Sequence, residues 1–550
     1  MKGQGVRTII TPKDPKRPQW SMTIGEFLDG AASLNPRKTY LYFRGREVSF
    51  REFKDRSLRA ATLFRELGIG RGDRVALFLP NCPEFLYSWM GLSRLGAICV
   101  PINTAYKEEE GAFVLSSCGA KVLLAHQTLL GVAQQMRELS PAVEKVLVVN
   151  DDGESLHGFK DFLQELRKRP PLSEPAEVTP QDISMLLYTS GTTGRPKGVI
   201  VTQEMYVAAG QGFATWVGAT SEDRFFTCLP LYHGNAQYYS TMGSLAVGAS
   251  LILEERFSAS RFWDQVRQSG ATVVNFIGMM LPLLMKQPEL KSGPVSAVRV
   301  FYGSPAFSPE LLTEFEKRFG TKVLIGYGLT ECCYGTIERL GQERRPRGSG
   351  LPRWHPDPRF KNEVRIVNED NIPFPVGEVG EIVLRSPALT PGYWQDEKQT
   401  REALRGGWFH TGDLGWMDRD GYLYFLDRKK DVIRRRGENI SSLEVEEVLK
   451  REPRIMDCAV VGVPSELAEE EVKVYVVVRP GEQMKPEEVV YWCAERLAHF
   501  KVPRYVEFRE ELPRTPSLRV RKELLRQESG DFNIGCFDRA KAGIPLRLPR

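Results

Sequence analysis

The sequence predicts an α/β protein: a large N-terminal domain of doubly wound sheets with a β-rich subdomain, followed by a small C-terminal α+β domain. Three observations predict it. Short apolar strands alternate with amphipathic helices through most of the chain, strand-like pieces crowd together from about Asn362, and the alternation restarts after a Lys/Arg-dominated run at Asp427–Arg436. Strands covered by helices on both faces read as short apolar runs, which is the texture seen here. A length of 550 residues is also too great for one ordinary core, since folding units average roughly 150 residues.

The lead-in up to about Pro18 is polar and Pro/Lys-rich and is expected to be irregular. Ser49–Leu67 carries apolar residues at helical spacing and stops at Gly68 and Gly70. Arg74–Leu79 follows as a buried strand, Phe85–Leu95 as a helix and Ala97–Pro101 as another strand. The strand signal returns at Lys121–Leu124, Lys145–Val149, Ser250–Leu253 and Thr272–Phe276. Glu363–Val367 and Gly380–Leu384 are strands separated by turn signals. Beyond Asp427 come a helix at Ser442–Arg451, strands at Asp457–Val463 and Lys473–Val478, and a helix at Lys485–His499. The expected division is 1–426 and 427–550, and Gln527–Arg550, which lacks periodicity, is expected to be an irregular tail.

Composition excludes several classes. A formal charge of +5 from 75 basic and 70 acidic residues is too weak to imply a nucleic-acid or membrane surface. The nine cysteines form no CxxC pair and no zinc-type spacing with histidine. That pattern fits free thiols in a reducing compartment. No apolar run approaches the ~20 residues needed to span a bilayer, and the N-terminus lacks a signal-peptide core. The expected location is the cytoplasm.

The segment Tyr188–Val199, YTSGTTGRPKGV, carries the most chemistry. A strand-like lead runs into Thr189, Ser190, Gly191, Thr192, Thr193 and Gly194, then Lys197. Glycines free backbone N–H groups to turn toward an anion, hydroxyls add donors, and lysine supplies a point charge. It is not a Walker A loop, because Lys197 is followed by Gly198 rather than Ser or Thr. A general nucleotide hydrolase is therefore disfavoured. Alone, a Gly/Thr-rich stretch reads equally well as an exposed turn.

The full segment resembles the phosphate-binding signature of the adenylate-forming superfamily, and further motifs similar to that family's follow in order. Gly326–Glu331, GYGLTE, resembles the second signature; by that resemblance Tyr327 stacks on adenine, Gly328 belongs to the ATP/AMP-binding set, Thr330 holds phosphate and Glu331 reaches magnesium. Gly303, Ser304 and Pro305 stand where the family has an adenine-binding turn. Leu229–Gly234, LPLYHG, resembles a motif whose His or aromatic residue lines the acyl channel, although a lone His233 also reads as structural. Phe409–Leu414, FHTGDL, implies that Asp413 binds ribose hydroxyls, and Asp427–Arg428 implies that Arg428 contacts ATP. Lys430 takes the hinge position, and Gly437 and Glu438 begin the loop that lines the CoA tunnel. The basic run Arg434–Arg436 reads as a solvated face, with CoA contact as the alternative.

The resemblance runs from Thr23 to at least Arg526, and the segments Leu229–Trp263 and Lys429–Leu449 are similar to the crotonobetaine/carnitine-CoA ligase branch. It implies an acid-thiol ligase with an N-terminal AMP- and acyl-binding domain and a mobile C-terminal domain. The implied partners are ATP, Mg²⁺, coenzyme A and a small carboxylic acid, with no nucleic acid, no integral membrane segment and a possible homodimer. Candidate acyl-pocket residues are His233, Asn235, Gln237, Asn275, Gly303 and Cys332, a fairly polar set that favours a short or substituted acid.

One position departs from the family. Where its pattern ends Gly-Lys, this chain has Leu518 and Arg519. Arginine keeps the charge but is a broad planar fork. Three readings stand: Arg519 substitutes adequately, Lys522 reaches in instead, or adenylation is impaired. Two other functions also stay open, adenylation for a non-CoA acceptor and nucleotide binding without turnover.

Overall fold

A computed structural model describes residues 8–150, 156, 158–174, 176–190, 196–278, 280–289, 293, 295, 297–304, 307–435, 438–464, 470–514, 520–529 and 536–544. Met1–Arg365, Val383–His410 and Asp418–Tyr424 form one compact unit; Ile366–Ile382, Thr411–Met417 and Phe425–Arg550 form the other. The division falls inside the strands Glu363–Val367, Gly380–Arg385, Phe409–Met417 and Leu423–Arg428, the β-rich stretch read from the sequence.

The larger unit is built on two sheets. In the first, parallel strands lie in the order Val323–Tyr327, Val300–Ser304, Val273–Ile277, Arg224–Thr227, Ser250–Leu253 and Thr39–Phe43. Thr336–Ile337 with Leu351–Pro352 extends one edge antiparallel, and Arg46–Ser49 the other. In the second sheet the order is Lys160–Asp161, Lys145–Val149, Val122–His126, Arg74–Phe78, Ile98–Pro101, Ile183–Ser190 and Pro196–Thr202. It is parallel except for the final hairpin. These strands are apolar on both faces, as the sequence texture predicts.

Local signals set the helices. Ser49 caps Phe50–Glu66, accepting from Glu52 N while the Glu52 carboxylate accepts from Ser49 N, a reciprocal capping box. Gln203–Trp216 is buried along nearly its whole length and touches groups from both sheets. Its Tyr206 packs on Trp89, its Tyr206 hydroxyl meets Met185 of the strand Ile183–Ser190, and Phe213 packs on Tyr302. Gly212 has no substitute here, because a Cβ would sit 1.9 Å from the Tyr334 hydroxyl. The lead-in is irregular but anchored: Gln211 Nε2 donates to the Ile10 and Gln19 carbonyls at 2.7 and 2.9 Å.

The smaller unit contains the sheet Ile455–Pro464, Glu470–Val478, Tyr505–Phe508 and Phe537–Asp538. Its alternation feeds two cores. Val472, Val474 and Val476 pack on the side of the helices Ser442–Lys450 and Pro486–Ala494, while Tyr475 and Val477 pack with Leu525 of Lys522–Glu528. The C-terminal segment departs from expectation. Its described part holds Phe537–Asp538 paired with Tyr505–Val506, and Ile544 joins the first core. A two-residue edge strand is too short to carry a period, so the sequence pattern could not reveal it. The helix expected over Lys485–His499 ends at Ala494.

All nine cysteines are free. Among the described residues no helix is long and apolar enough to cross a membrane.

Candidate active site

The predicted residues of the larger unit gather at the carboxyl ends of neighbouring parallel strands, where α/β sheets take their ligands. Asn275 lies on Val273–Ile277, Gly303 and Ser304 end Val300–Ser304, and Tyr327 ends Val323–Tyr327. Register puts Asn275 beside Tyr302, Phe276 beside Gly303, and Gly303 beside Ile325. Gly303 is required by close approach, since a Cβ would lie 2.4 Å from the Phe276 carbonyl oxygen. Pro305 lies outside the described residues.

The phosphate segment is a hairpin. Thr189 pairs with Lys197 and Ser190 with Pro196. Gly191, Thr192, Thr193 and Gly194 lie outside the described residues. The return strand is locked to 390–394: Trp394 N donates to Gly198 O at 2.8 Å, Ile200 N to Gly392 O at 3.1 Å, and Thr390 Oγ1 to Ile200 O at 2.7 Å. The same segment holds Glu331, because Thr390 N donates to Glu331 O at 2.8 Å and Tyr393 Oη to Glu331 Oε1 at 3.0 Å. Burial, reinforced by the Glu331 charge, raises the Tyr393 pKa, so its hydroxyl stays a donor. Residues 390–394 thus join the lysine strand to the glutamate.

The Lys197 side chain is half-buried, and its ammonium makes no ion pair or hydrogen bond among the described residues. Burial lowers its pKa, and Asp396, Glu331 and Glu402 pull the other way. A cation kept partly dry without a partner is suited to an incoming anion.

Of the residues expected to line the acyl pocket, His233 follows the strand Arg224–Thr227, and the π-helix Ala236–Thr241 comes next. Tyr238 Oη donates to Thr330 O at 3.1 Å, tying this connection to the GYGLTE segment. Gln237 is fully buried as a brace: Tyr206 Oη donates to its Oε1 and its Nε2 donates to Leu231 O, each at 2.5 Å. Asn275 Nδ2 donates to Asn235 Oδ1 at 2.9 Å. Cys332 is fully buried, with its thiol pushed up to about 12.

Arg353 was not legible as part of this region. Fully buried behind GYGLTE, it donates to Thr336 O at 2.9 Å, to the Tyr239 hydroxyl at 2.6 Å, and to Cys333 O and the Tyr302 hydroxyl. Its guanidinium lies over the rings of Trp216, Tyr239 and Tyr302. No sequence period marks it. Tyr393 was missed as well, since 62 positions separate it from Glu331.

In the smaller unit, Asp413 is buried and Arg428 Nε lies 3.6 Å from its Oδ1. Asp427 Oδ2 accepts from Ser442 N at 2.8 Å and Ser442 Oγ at 2.6 Å, capping Ser442–Lys450. Lys522 Nζ is committed to Glu446 Oε1 at 2.7 Å and Ser442 Oγ at 2.5 Å. Such a lysine is held in the core of its unit, which removes the support for its reaching toward substrate. Arg435 departs from both readings of the basic run: it is 1 % exposed and pairs with Glu471 at 2.6 Å. Lys430 is described, the backbone of Glu438 lies in a short strand, and Gly437 and Arg519 lie outside the described residues.

The family model for AMP-binding enzymes matches residues 28–394, and that for the AMP-binding enzyme C-terminal domain matches 444–519. The chain belongs to the AMP-binding enzyme family. A crotonobetaine/carnitine–CoA ligase of Salmonella heidelberg (strain SL476) is 35% identical over 510 residues, covering 90% of this chain and 98% of the relative. The solved anthranilate CoA ligase AuaEII, in complex with anthranoyl-AMP, aligns with a TM-score of 0.84 at 27% identity, covering 92% of this chain and 97% of that one. ATP-bound MatB from Rhodopseudomonas palustris gives 0.83 at 26% identity, covering 93% and 100%. The large α/β domain with a smaller C-terminal domain is the fold these AMP-binding enzymes share with this chain.

Proposed function

We propose that this AMP-binding enzyme is an ATP-dependent acid–CoA ligase. The observation that carries the reading is the linkage of Lys197, Glu331 and Tyr393 through residues 390–394, at the carboxyl end of the sheet that bears Gly303 and Tyr327. It supplies a cation unpaired among the described residues and a positioned carboxylate at one locality. Among the described residues no three His, Cys, Asp or Glu side chains are grouped to hold a metal ion. Glu331 alone fits Mg²⁺, which commonly takes one or two carboxylates and shares the rest of its coordination with phosphates. When bound, the ion neutralises phosphate charge.

The substrate carboxylate attacks the α-phosphorus of ATP, forming an acyl-adenylate and releasing pyrophosphate. Lys197 and Thr330, with Thr189, Ser190, Gly191, Thr192, Thr193 and Gly194, hold the phosphates; Tyr327, Gly328 and the turn Gly303, Ser304 and Pro305 hold adenine. Asp413 takes the ribose and Arg428 contacts the nucleotide. Positioning and charge stabilisation carry this step. CoA thiolate then attacks the acyl carbon and AMP leaves. We assign 1–426 to nucleotide and acyl binding and 427–550 to a mobile domain hinged at Lys430, with Gly437 and Glu438 toward CoA. We place the enzyme in the cytoplasm, as a homodimer that does not engage nucleic acid.

A panel of carboxylic acids incubated with ATP, Mg²⁺ and CoA tests the reading by detection of AMP and thioester. AMP with no thioester would move it to another acceptor; no AMP from any acid would end it. Arg519→Lys tests the departure near the C-terminus. Adenylation within about threefold of the natural chain marks Arg519 as an adequate substitute, since charge is the main demand, whereas a rise beyond about tenfold marks the site as compromised.

A further inference from the structure

Around the expected acyl pocket, Asn275 Oδ1 and His233 Nε2 are, with Ser240 Oγ, buried polar atoms that have no hydrogen-bond partner among the described residues. Asn275 is 1 % exposed; its Nδ2 is used by Asn235, but its Oδ1 is buried with no hydrogen bond. His233, two residues before Asn235, is half-buried, yet its Nε2 is shielded and also unpartnered. Burial pushes the imidazole pKa down to about 4, so the ring is neutral near pH 7. An unmet hydrogen bond at a buried polar atom costs ~1–3 kcal/mol, and native structures tolerate few of them without a reason. Both atoms belong to segments already placed at the site. Asn275 sits beside Tyr302, the neighbour of Gly303, and the His233 connection is bonded to Thr330 through Tyr238.

The chemistry of these groups narrows the acid. Asn275 Oδ1 is an acceptor and requires a donor. Neutral His233 offers either N–H or a lone pair at Nε2, according to tautomer. A hydroxyl suits either atom, since it can donate to the amide oxygen and can donate to or accept from the imidazole. A plain hydrocarbon leaves both atoms unmet. A fixed cation is poorly matched, because the Asn235–Asn275 pair is neutral and carries no carboxylate. Resting on the acid–CoA ligase reading, we propose that this site selects a carboxylic acid bearing an uncharged hydroxyl on its acyl portion, held by Asn275 and His233.

The test uses the full chain and matched acids: butanoate, 3-hydroxybutanoate, 4-hydroxybutanoate and 4-trimethylammoniobutanoate, with benzoate and its hydroxylated forms. The readout is kcat/KM for thioester formation. At least one hydroxy acid should exceed its deoxy partner by about tenfold or more, since sites built to bond a hydroxyl reject analogues lacking it. Asn275→Leu should bring that pair to within about threefold. Asn235→Asp, which leaves Asn275 in place, should raise relative use of the trimethylammonium acid. Parity between each hydroxy acid and its deoxy partner in the natural chain overturns the proposal and leaves the ligase reading intact, as does a preference for the cationic acid. Absence of AMP from every acid overturns both.

Discussion

Two lysines show how differently the two units use the same side chain. Lys197 in the larger unit is half-buried without an ion pair or hydrogen bond among the described residues, and burial lowers its pKa. Lys522 in the smaller unit is buried against Glu446 and Ser442. A partly desolvated cation left unpaired weakens its surroundings and is useful when an anion arrives. A paired one holds a core together and has little left to offer a ligand. Charge alone therefore does not mark a functional lysine; partnership does.

The contrast breaks most visibly under substitution. Lys197→Met should lower the pyrophosphate-forming rate by about 10²–10³-fold, with little change in melting temperature. Rate and thermal unfolding measured on one preparation check this. Lys522→Met should do the reverse, costing roughly 3 kcal/mol because buried Glu446 loses its nearest cation and keeps only Lys450, 3.8 Å from its Oε2, and the Val460 N–H. Denaturant unfolding of the smaller unit's signal would show it.

Acid sharpens the comparison between units. His355 of the larger unit accepts from Asp357 N at 3.0 Å through Nδ1 and meets Gln211 Oε1 through Nε2, and burial holds its pKa near about 3. His233 is held near about 4. Both folded values lie below the ordinary 6.5, so the unfolded chain binds more protons between them. Stability from these groups is complete above pH 6.5 and is lost as pH falls, at roughly 1.4 kcal/mol per pH unit for each histidine. In the smaller unit, Lys522 and Arg526 outweigh burial and hold Asp431 below the ordinary 3.8. Its contribution is present above that value and lost only at lower pH. Unit-resolved hydrogen exchange between pH 7 and 4.5 should show the larger unit loosening first.

The smallest effect is expected at Tyr393. Replacing it with Phe removes the donor to Glu331 Oε1 and should cost about tenfold in adenylation, near 1.4 kcal/mol. A higher Mg²⁺ requirement should accompany it, a change that loss of packing alone would not produce.

Much of the fold was legible because its signals are local. The helix read over Ser49–Leu67 is Phe50–Glu66, and the strand read at Arg74–Leu79 is Arg74–Phe78. Lys197, Tyr327 and Glu331 stand out in the sequence because each sits in a contiguous motif. Pairings across the chain do not. Tyr393 meets Glu331 across 62 positions and Asn275 meets Asn235 across 40, and neither spacing leaves a period in the sequence. Arg353 is the extreme case: in isolation it reads as a surface residue, and only the tertiary fold surrounds it with three aromatic rings.

The central claim is that the larger unit activates a carboxylate at the α-phosphate of ATP. Acid-dependent exchange of labelled pyrophosphate into ATP, measured with Mg²⁺ and without CoA, tests it most directly. The account predicts exchange that requires the acid and largely disappears in Lys197→Met. Exchange independent of any acid, or undiminished in Lys197→Met, would contradict it.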